Sequence, residues 1–234
     1  MQDKNFVIVG GSHGIGAGIV RRCVERGAKV TVLSRGIGEL PDLPGVRHVP
    51  FDVTQRGPTA DELPDSIDAL AYCPGSINLG PLRSVTEQTL RDDFELNVVG
   101  AVRCMQACLA GLKSGASASV VLFSTVAVQQ GLAMHTSVAA AKGAIEGLTR
   151  TWAAELAPKV RVNCIAPALT ATQLSERLLA TDEKRQAMAA MYPLGRHGEV
   201  DDIAAAAEFL LSDASSWITG QVLGVDGGLS SLRK

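Results

Sequence analysis

Aromatic side chains are scarce, at 4% of 234 residues. A surface that binds single-stranded nucleic acid stacks bases on such rings, so that class of partner is disfavoured. Charge of one sign is equally short. The 22 Lys and Arg against 24 Asp and Glu leave a formal net charge of −2. With a pI of about 6.1 there is no basic footprint for nucleic acid. No apolar run reaches the roughly 18 residues that cross a bilayer, so no membrane partner is expected. Met1 to Asn5 lead into a strand-like run with neither a signal-peptide core nor a cleavage site, and the expected location is cytoplasmic. The five cysteines (Cys23, Cys73, Cys104, Cys108, Cys164) are odd in number and dispersed, which disfavours a disulfide framework. Cys104 and Cys108 lie one helical turn apart, but no His or acidic cluster joins them. They read as small buried apolar residues, and no metal site is expected.

What is present is ordinary globular material, 46% apolar and 20% charged. No linker or repeat divides it, so residues 1–234 read as one domain. Short apolar runs recur at Phe6–Val9, Val30–Leu33, Val46–Val49, Ala69–Tyr72, Val120–Phe123, Val160–Ile165 and Gln221–Val225. Helical patterns separate several of them: Ala17–Arg26, a long region Thr86–Leu112 interrupted at Gly100, Ser137–Leu156 and Glu199–Leu211. Nearly all-apolar strands alternating with helices imply an α/β protein with a parallel sheet covered on both faces. Ala166–Gly198 is the least regular stretch and reads as a lid over a site.

The first strand runs into Gly10-Gly11-Ser12-His13-Gly14-Ile15-Gly16 and then a helix. Glycine there permits a tight turn, close approach of a phosphate and close packing of helix on strand. The N–H groups at the helix start attract a pyrophosphate. An acidic residue after the second strand would bind a ribose 2′-hydroxyl and favour NAD. Here stand Ser34 and Arg35, a hydroxyl and a guanidinium suited to a 2′-phosphate. The expected coenzyme is therefore NADP(H), with NAD(H) less favoured.

With these residues the sequence resembles the short-chain dehydrogenase/reductase family, particularly members similar to 3-oxoacyl carrier-protein reductases. The resemblance runs from the glycine turn to Ile218-Thr219-Gly220-Gln221 and Val225-Asp226-Gly227-Gly228. It implies a single-domain Rossmann fold with a seven-stranded doubly wound parallel sheet, and a homo-oligomer, tetramer or dimer. Asp52-Val53 resembles the adenine-contacting segment. Gly75 is the one residue kept of an Asn-Asn-Ala-Gly motif, and Asn97 matches the family's helix Asn. Pro167, Thr170 and Thr172 match positions around the nicotinamide, and a basic residue at the place of His13 can help read the 2′-phosphate.

The family's Tyr-x-x-x-Lys signature aligns its Lys with Lys142 and its Tyr with Val138, and its upstream Ser with Thr125. The resemblance thus implies that Lys142 holds the nicotinamide ribose, Thr125 polarises a carbonyl and Asn97 orders a relay water, while the proton-donating phenol is gone. Loss of such an acid typically costs about 10²–10⁴-fold. His135 is a candidate substitute: an early helix start would put it on one face with Val138 and Lys142. Tyr192 lies on the late irregular segment, before Pro193-Leu194-Gly195, and suits a structural role. Three functions remain open. The first is an oxidoreductase for a small carbonyl or alcohol substrate. The second is a catalytically silent NADP(H)-binding protein or subunit. The third is an enzyme of this fold with isomerase or lyase chemistry.

Overall fold

The computed structural model describes residues 1–40, 43–115 and 117–232. Seven parallel strands run through it: β1 (Asn5–Val9), β2 (Lys29–Ser34), β3 (Val46–Pro50), β4 (Ala69–Tyr72), β5 (Ala118–Phe123), β6 (Val160–Pro167) and β7 (Val222–Val225). Their order in the sheet is β3-β2-β1-β4-β5-β6-β7. The order reverses between β1 and β4, and a doubly wound sheet opens a crevice at the carboxyl ends of its strands at such a point. The helices are α1 (Gly14–Glu25), α2 (Glu87–Phe94), α3 (Gly100–Ser114), α4 (Ala127–Gln130), α5 (Thr136–Leu156), α6 (Asp182–Met191) and α7 (Val200–Leu211).

Strand side chains alternate between two cores. Phe6 and Ile8 point to one face, where Ile19, Val20 and Cys23 of α1 and Ile203, Ala207 and Leu210 of α7 meet them. Val7 and Val9 point to the other, against Cys104, Cys108 and Leu112 of α3 and Ala141 and Ile145 of α5. This period of two explains why the strands are apolar on both faces at most positions. Each fully buried Val, Ile or Phe contributes about 1.5–3 kcal/mol, so the two cores fix the sheet and with it the crevice. All five cysteines are free; four are buried and Cys73 is half-buried.

Two departures from the sequence pattern shape the site. First, the break in the long helical region is not at Gly100. Residues Glu95–Val99 form a π-helical turn between α2 and α3. Gly100 is required for packing, because a Cβ there would strike the Tyr72 hydroxyl, which donates to Leu96 O at 2.6 Å. Second, among the described residues no helix joins β2 to β3, and only a 3-10 turn, Ala60–Glu62, lies between β3 and β4. The short loop after β2 instead folds back on the glycine turn. The irregular stretch after β6 is partly ordered, with a 3-10 segment Gln173–Leu179 followed by α6.

Candidate active site

The glycine turn leaves β1 with Gly10 at φ +72° and enters α1 through Gly14 at φ +52°, both in the left-handed region that favours glycine. Gly16 is sterically fixed, since a Cβ there would collide with the Gly10 carbonyl. Gly11 and Gly18, which the motif reading passed over, are also tight. A Cβ on Gly11 would lie 3.0 Å from Val20 and Val32, and one on Gly18 would meet Val200 of α7 at 2.5 Å. Ile15 is half-buried in the first turn of α1. Ser12 is buried, and its hydroxyl lies 2.9 Å from Nδ1 of the exposed His13.

The loop after β2 was legible only in part. Arg35 is exposed and has no hydrogen-bond or ion-pair partner among the described residues. Ser34, expected to face a phosphate beside it, is buried. Its hydroxyl donates to Gly36 O at 2.8 Å and meets His48 Nε2 at 3.1 Å, so its proton is already engaged. The missed residue here is Glu39. Its Oε1 accepts the Gly14 N–H at 3.2 Å, its Oε2 pairs with Arg21 at 2.8 Å, and its own N–H donates to Ser12 O at 2.9 Å. A carboxylate thus rests on the start of α1, where the helix dipole favours negative charge. Asp52 Oδ1 accepts from the Thr54 N–H and hydroxyl at 2.9 and 2.8 Å, which holds its carboxyl below the usual range, with Arg35 adding to the effect. Val53 is buried against Gly100.

Across the crevice, Gly75 follows β4. A Cβ on Gly75 would lie 3.3 Å from Lys142 Nζ and 3.6 Å from Asn97 Oδ1, so glycine leaves room for both. Lys142 is 7% exposed on α5, and burial brings its ammonium down to about 8. Asn97 sits in the π-helical turn, a distortion common at functional sites. Its Nδ2 donates to Asp93 O at 2.8 Å and reaches the Ser76 hydroxyl at 3.3 Å. Asp93, Ser76 and Asn78 were all missed. The spacing of four between Asp93 and Asn97 is a usable signal, because it places both on one helix face.

Thr125 is half-buried after β5. Its Oγ1 accepts the Ala127 N–H at 3.3 Å, while its own proton has no acceptor among the described residues. Neighbouring Ser124 is buried and donates to Glu146 Oε1 at 2.8 Å. Val138 is buried one turn before Lys142. The helix does not start early enough to bring His135 into that row. It begins at Thr136, and His135 precedes it with Nδ1 donating to Ala133 O at 2.7 Å. Pro167 ends β6 and accepts the Val126 N–H at 3.1 Å. Thr170 is buried and bonded to Ala168 O, while the Thr172 methyl approaches to 3.2 Å the point a Gly14 Cβ would occupy. The segment after β6 therefore closes onto the glycine turn. Tyr192 is buried against Gly227, and its phenol oxygen accepts the Leu169 N–H at 3.3 Å.

Residues 9–230 match the family model described as enoyl-(acyl carrier protein) reductase. The chain belongs to the short-chain dehydrogenase/reductase family. It is 34% identical over 233 residues to an L-xylulose reductase of Bos taurus, covering 96% of each chain. A second relative, 2-(S)-hydroxypropyl-CoM dehydrogenase 3 of Xanthobacter autotrophicus, is 31% identical over 99% of this chain and 98% of its own. A short-chain type dehydrogenase/reductase from Mycobacterium ulcerans has a similar solved structure, with a TM-score of 0.90 and 31% identity over 100% of this chain and 92% of that one. These relatives are oxidoreductases of small molecules, and the family binds a nicotinamide coenzyme. No helix among the described residues is long and apolar enough to cross a membrane. None of their His, Cys, Asp and Glu residues cluster to hold a metal ion.

Proposed function

We propose that the protein is an NADP(H)-dependent oxidoreductase acting on a small carbonyl or alcohol, with an active site in which Val138 stands where the family has its Tyr. The observation that carries this reading is the space at Gly75. It holds a buried lysine ammonium that has no hydrogen-bond partner among the described residues, across the crevice from the glycine turn. Those features fit the coenzyme. Gly10, Ser12, Gly14, Ile15 and Gly16 would hold its pyrophosphate, Asp52 and Val53 its adenine, and Arg35 with His13 its 2′-phosphate. Gly75, Pro167, Thr170 and Thr172 would surround its nicotinamide half, and Lys142 would hold the adjoining ribose. Bound there, the coenzyme supplies or accepts a hydride.

The chain's own groups then handle polarity and protons. The free hydroxyl proton of Thr125 is available to a carbonyl oxygen. Lys142 carries a proton near neutral pH, and Asn97 offers a buried acceptor beside it. Val138 supplies no proton, and His135 Nδ1 is bonded to Ala133 O. The proton accordingly enters through Lys142 and solvent. A homo-oligomer fits the edge strand β7, on which Leu223 is 40% exposed, and Trp217, which precedes it in the chain and is 99% exposed.

The test is NADPH oxidation followed by absorbance against a panel of ketones, ketoacyl thioesters and sugars. Turnover of any of them supports the reading. Tight NADPH binding with no turnover across the panel favours the silent coenzyme-binding protein instead, the alternative that a buried aliphatic at position 138 supports.

A further inference from the structure

Two buried side-chain oxygens have no hydrogen-bond partner among the described residues, Asp93 Oδ2 and Asn97 Oδ1, and their side chains meet at the Ser76 hydroxyl. Both residues are 1% exposed. Each side chain is anchored by its other end. Asp93 Oδ1 accepts the Ser76 hydroxyl at 2.5 Å and Asn78 Nδ2 at 2.7 Å, while Asn97 Nδ2 donates to Asp93 O. That last bond also settles which end of the Asn97 amide is oxygen, since a carbonyl can only accept. An unpartnered buried oxygen costs about 1–3 kcal/mol, and two together mark a place for a donor. Lys142 Nζ lies against the same glycine as Asn97 Oδ1 and has no partner of its own.

We propose that Asp93 Oδ2 joins the relay water expected between Asn97 and Lys142 Nζ, and that through it Asp93 acts as a positioning residue that keeps Lys142 charged. The count of bonds closes. The two O–H groups of the water satisfy the two oxygens, and its lone pair accepts one N–H of the ammonium, within the 2–4 bonds usual for a buried water. Four other groups bear on this charge. Cys164 on β6 and Cys73 after β4 would favour the ammonium only as thiolates, and burial pushes both thiols up to about 12, so they are neutral at neutral pH. Glu146, one turn further along α5, is engaged by the Ser124 hydroxyl, and the ring of His135 is bonded to Ala133 O. Asp93 on α2 is the carboxyl group that favours the Lys142 ammonium. Its bearing on catalysis rests on the role given to Lys142 above; the water and the charge coupling do not.

The test uses the full chain without coenzyme or substrate, so its outcome is separate from that of the activity assay. The protein is labelled with ¹³C-lysine, the Lys142 signal is assigned with Lys142→Met, and its pH midpoint is read by NMR. Asp93→Asn keeps the shape and removes the charge. The expected result is a fall of the Lys142 midpoint by about one unit or more. An unmoved midpoint in the folded variant would overturn the charge coupling. A crystal structure of the unsubstituted chain at a resolution that shows waters provides the second reading and needs no variant. One water bonded to all three atoms is expected, and a dry site would overturn the proposal.

Discussion

At the β1–α1 end of the crevice the working parts are backbone, whereas at the β5–α5 end they are side chains. The glycine turn is held by sterics: Gly10 and Gly14 by their positive φ, Gly16 by the Gly10 carbonyl, Gly18 by Val200. Such a device allows almost no variation, and its pattern survives in the sequence. The Lys142 end depends on which groups carry protons, and one group can be exchanged for another without disturbing the fold. There an aliphatic Val138 stands one turn before Lys142, and a buried carboxylate, Asp93, has entered on the far side. On the proposed function, the comparison teaches that coenzyme binding and proton handling are separable in this protein.

Val138→Tyr sharpens the comparison most. If only the phenol is missing, ketone reduction rises by about 10²–10⁴-fold while the affinity for NADPH stays the same. Retained binding with no gain would show that the surrounding pocket has diverged as well. Next is the charge on Lys142. Its folded midpoint of about 8 lies below its ordinary 10.5, so the unfolded chain holds more protons between those values. Stability from this residue is therefore lowest below pH 8 and rises towards pH 10.5. Urea unfolding of the unsubstituted chain minus that of Lys142→Met should climb by about 3 kcal/mol over that window. A flat difference would contradict the burial of an unpaired ammonium.

Gly16→Ala attacks the backbone end. Its methyl must push the Gly10 carbonyl away, which should destabilise the chain by about 1–3 kcal/mol in thermal or urea unfolding and weaken coenzyme binding. A variant of unchanged stability and affinity would show that the turn is looser than described. The smallest effect belongs to Glu39→Gln. Removing the carboxylate from the start of α1 should cost about 0.3–1 kcal/mol of stability. By the same electrostatics NADPH affinity should rise a few-fold, since an anion no longer competes with its phosphates; an affinity that falls would assign Glu39 a supporting role in binding.

The sheet and the glycine turn were legible because both follow from local rules, namely apolar strands buried on two faces and glycines where no other residue fits. The parallel order of the strands followed from their alternation with helices. What stayed hidden depends on tertiary neighbours. Nothing in the run Arg35-Gly36-Ile37-Gly38-Glu39 shows that Glu39 returns to Gly14, because the path of the loop after β2 decides it. The partner of the Ser34 hydroxyl, Gly36 O, was not legible either. Asp93 reads as one acid among several on an exposed helix, and only the π-helical turn with Asn97 makes it an interior group. His135 stands at the N-cap of α5, and only the finished loop shows that its Nδ1 bonds Ala133 O.

The central claim is that the glycine turn and Arg35 receive a phosphorylated nicotinamide dinucleotide. Calorimetric titration of the purified chain with NADPH and then with NADH tests it directly. One site per chain, with NADPH bound more tightly than NADH, is the predicted result. No binding of either coenzyme would contradict it.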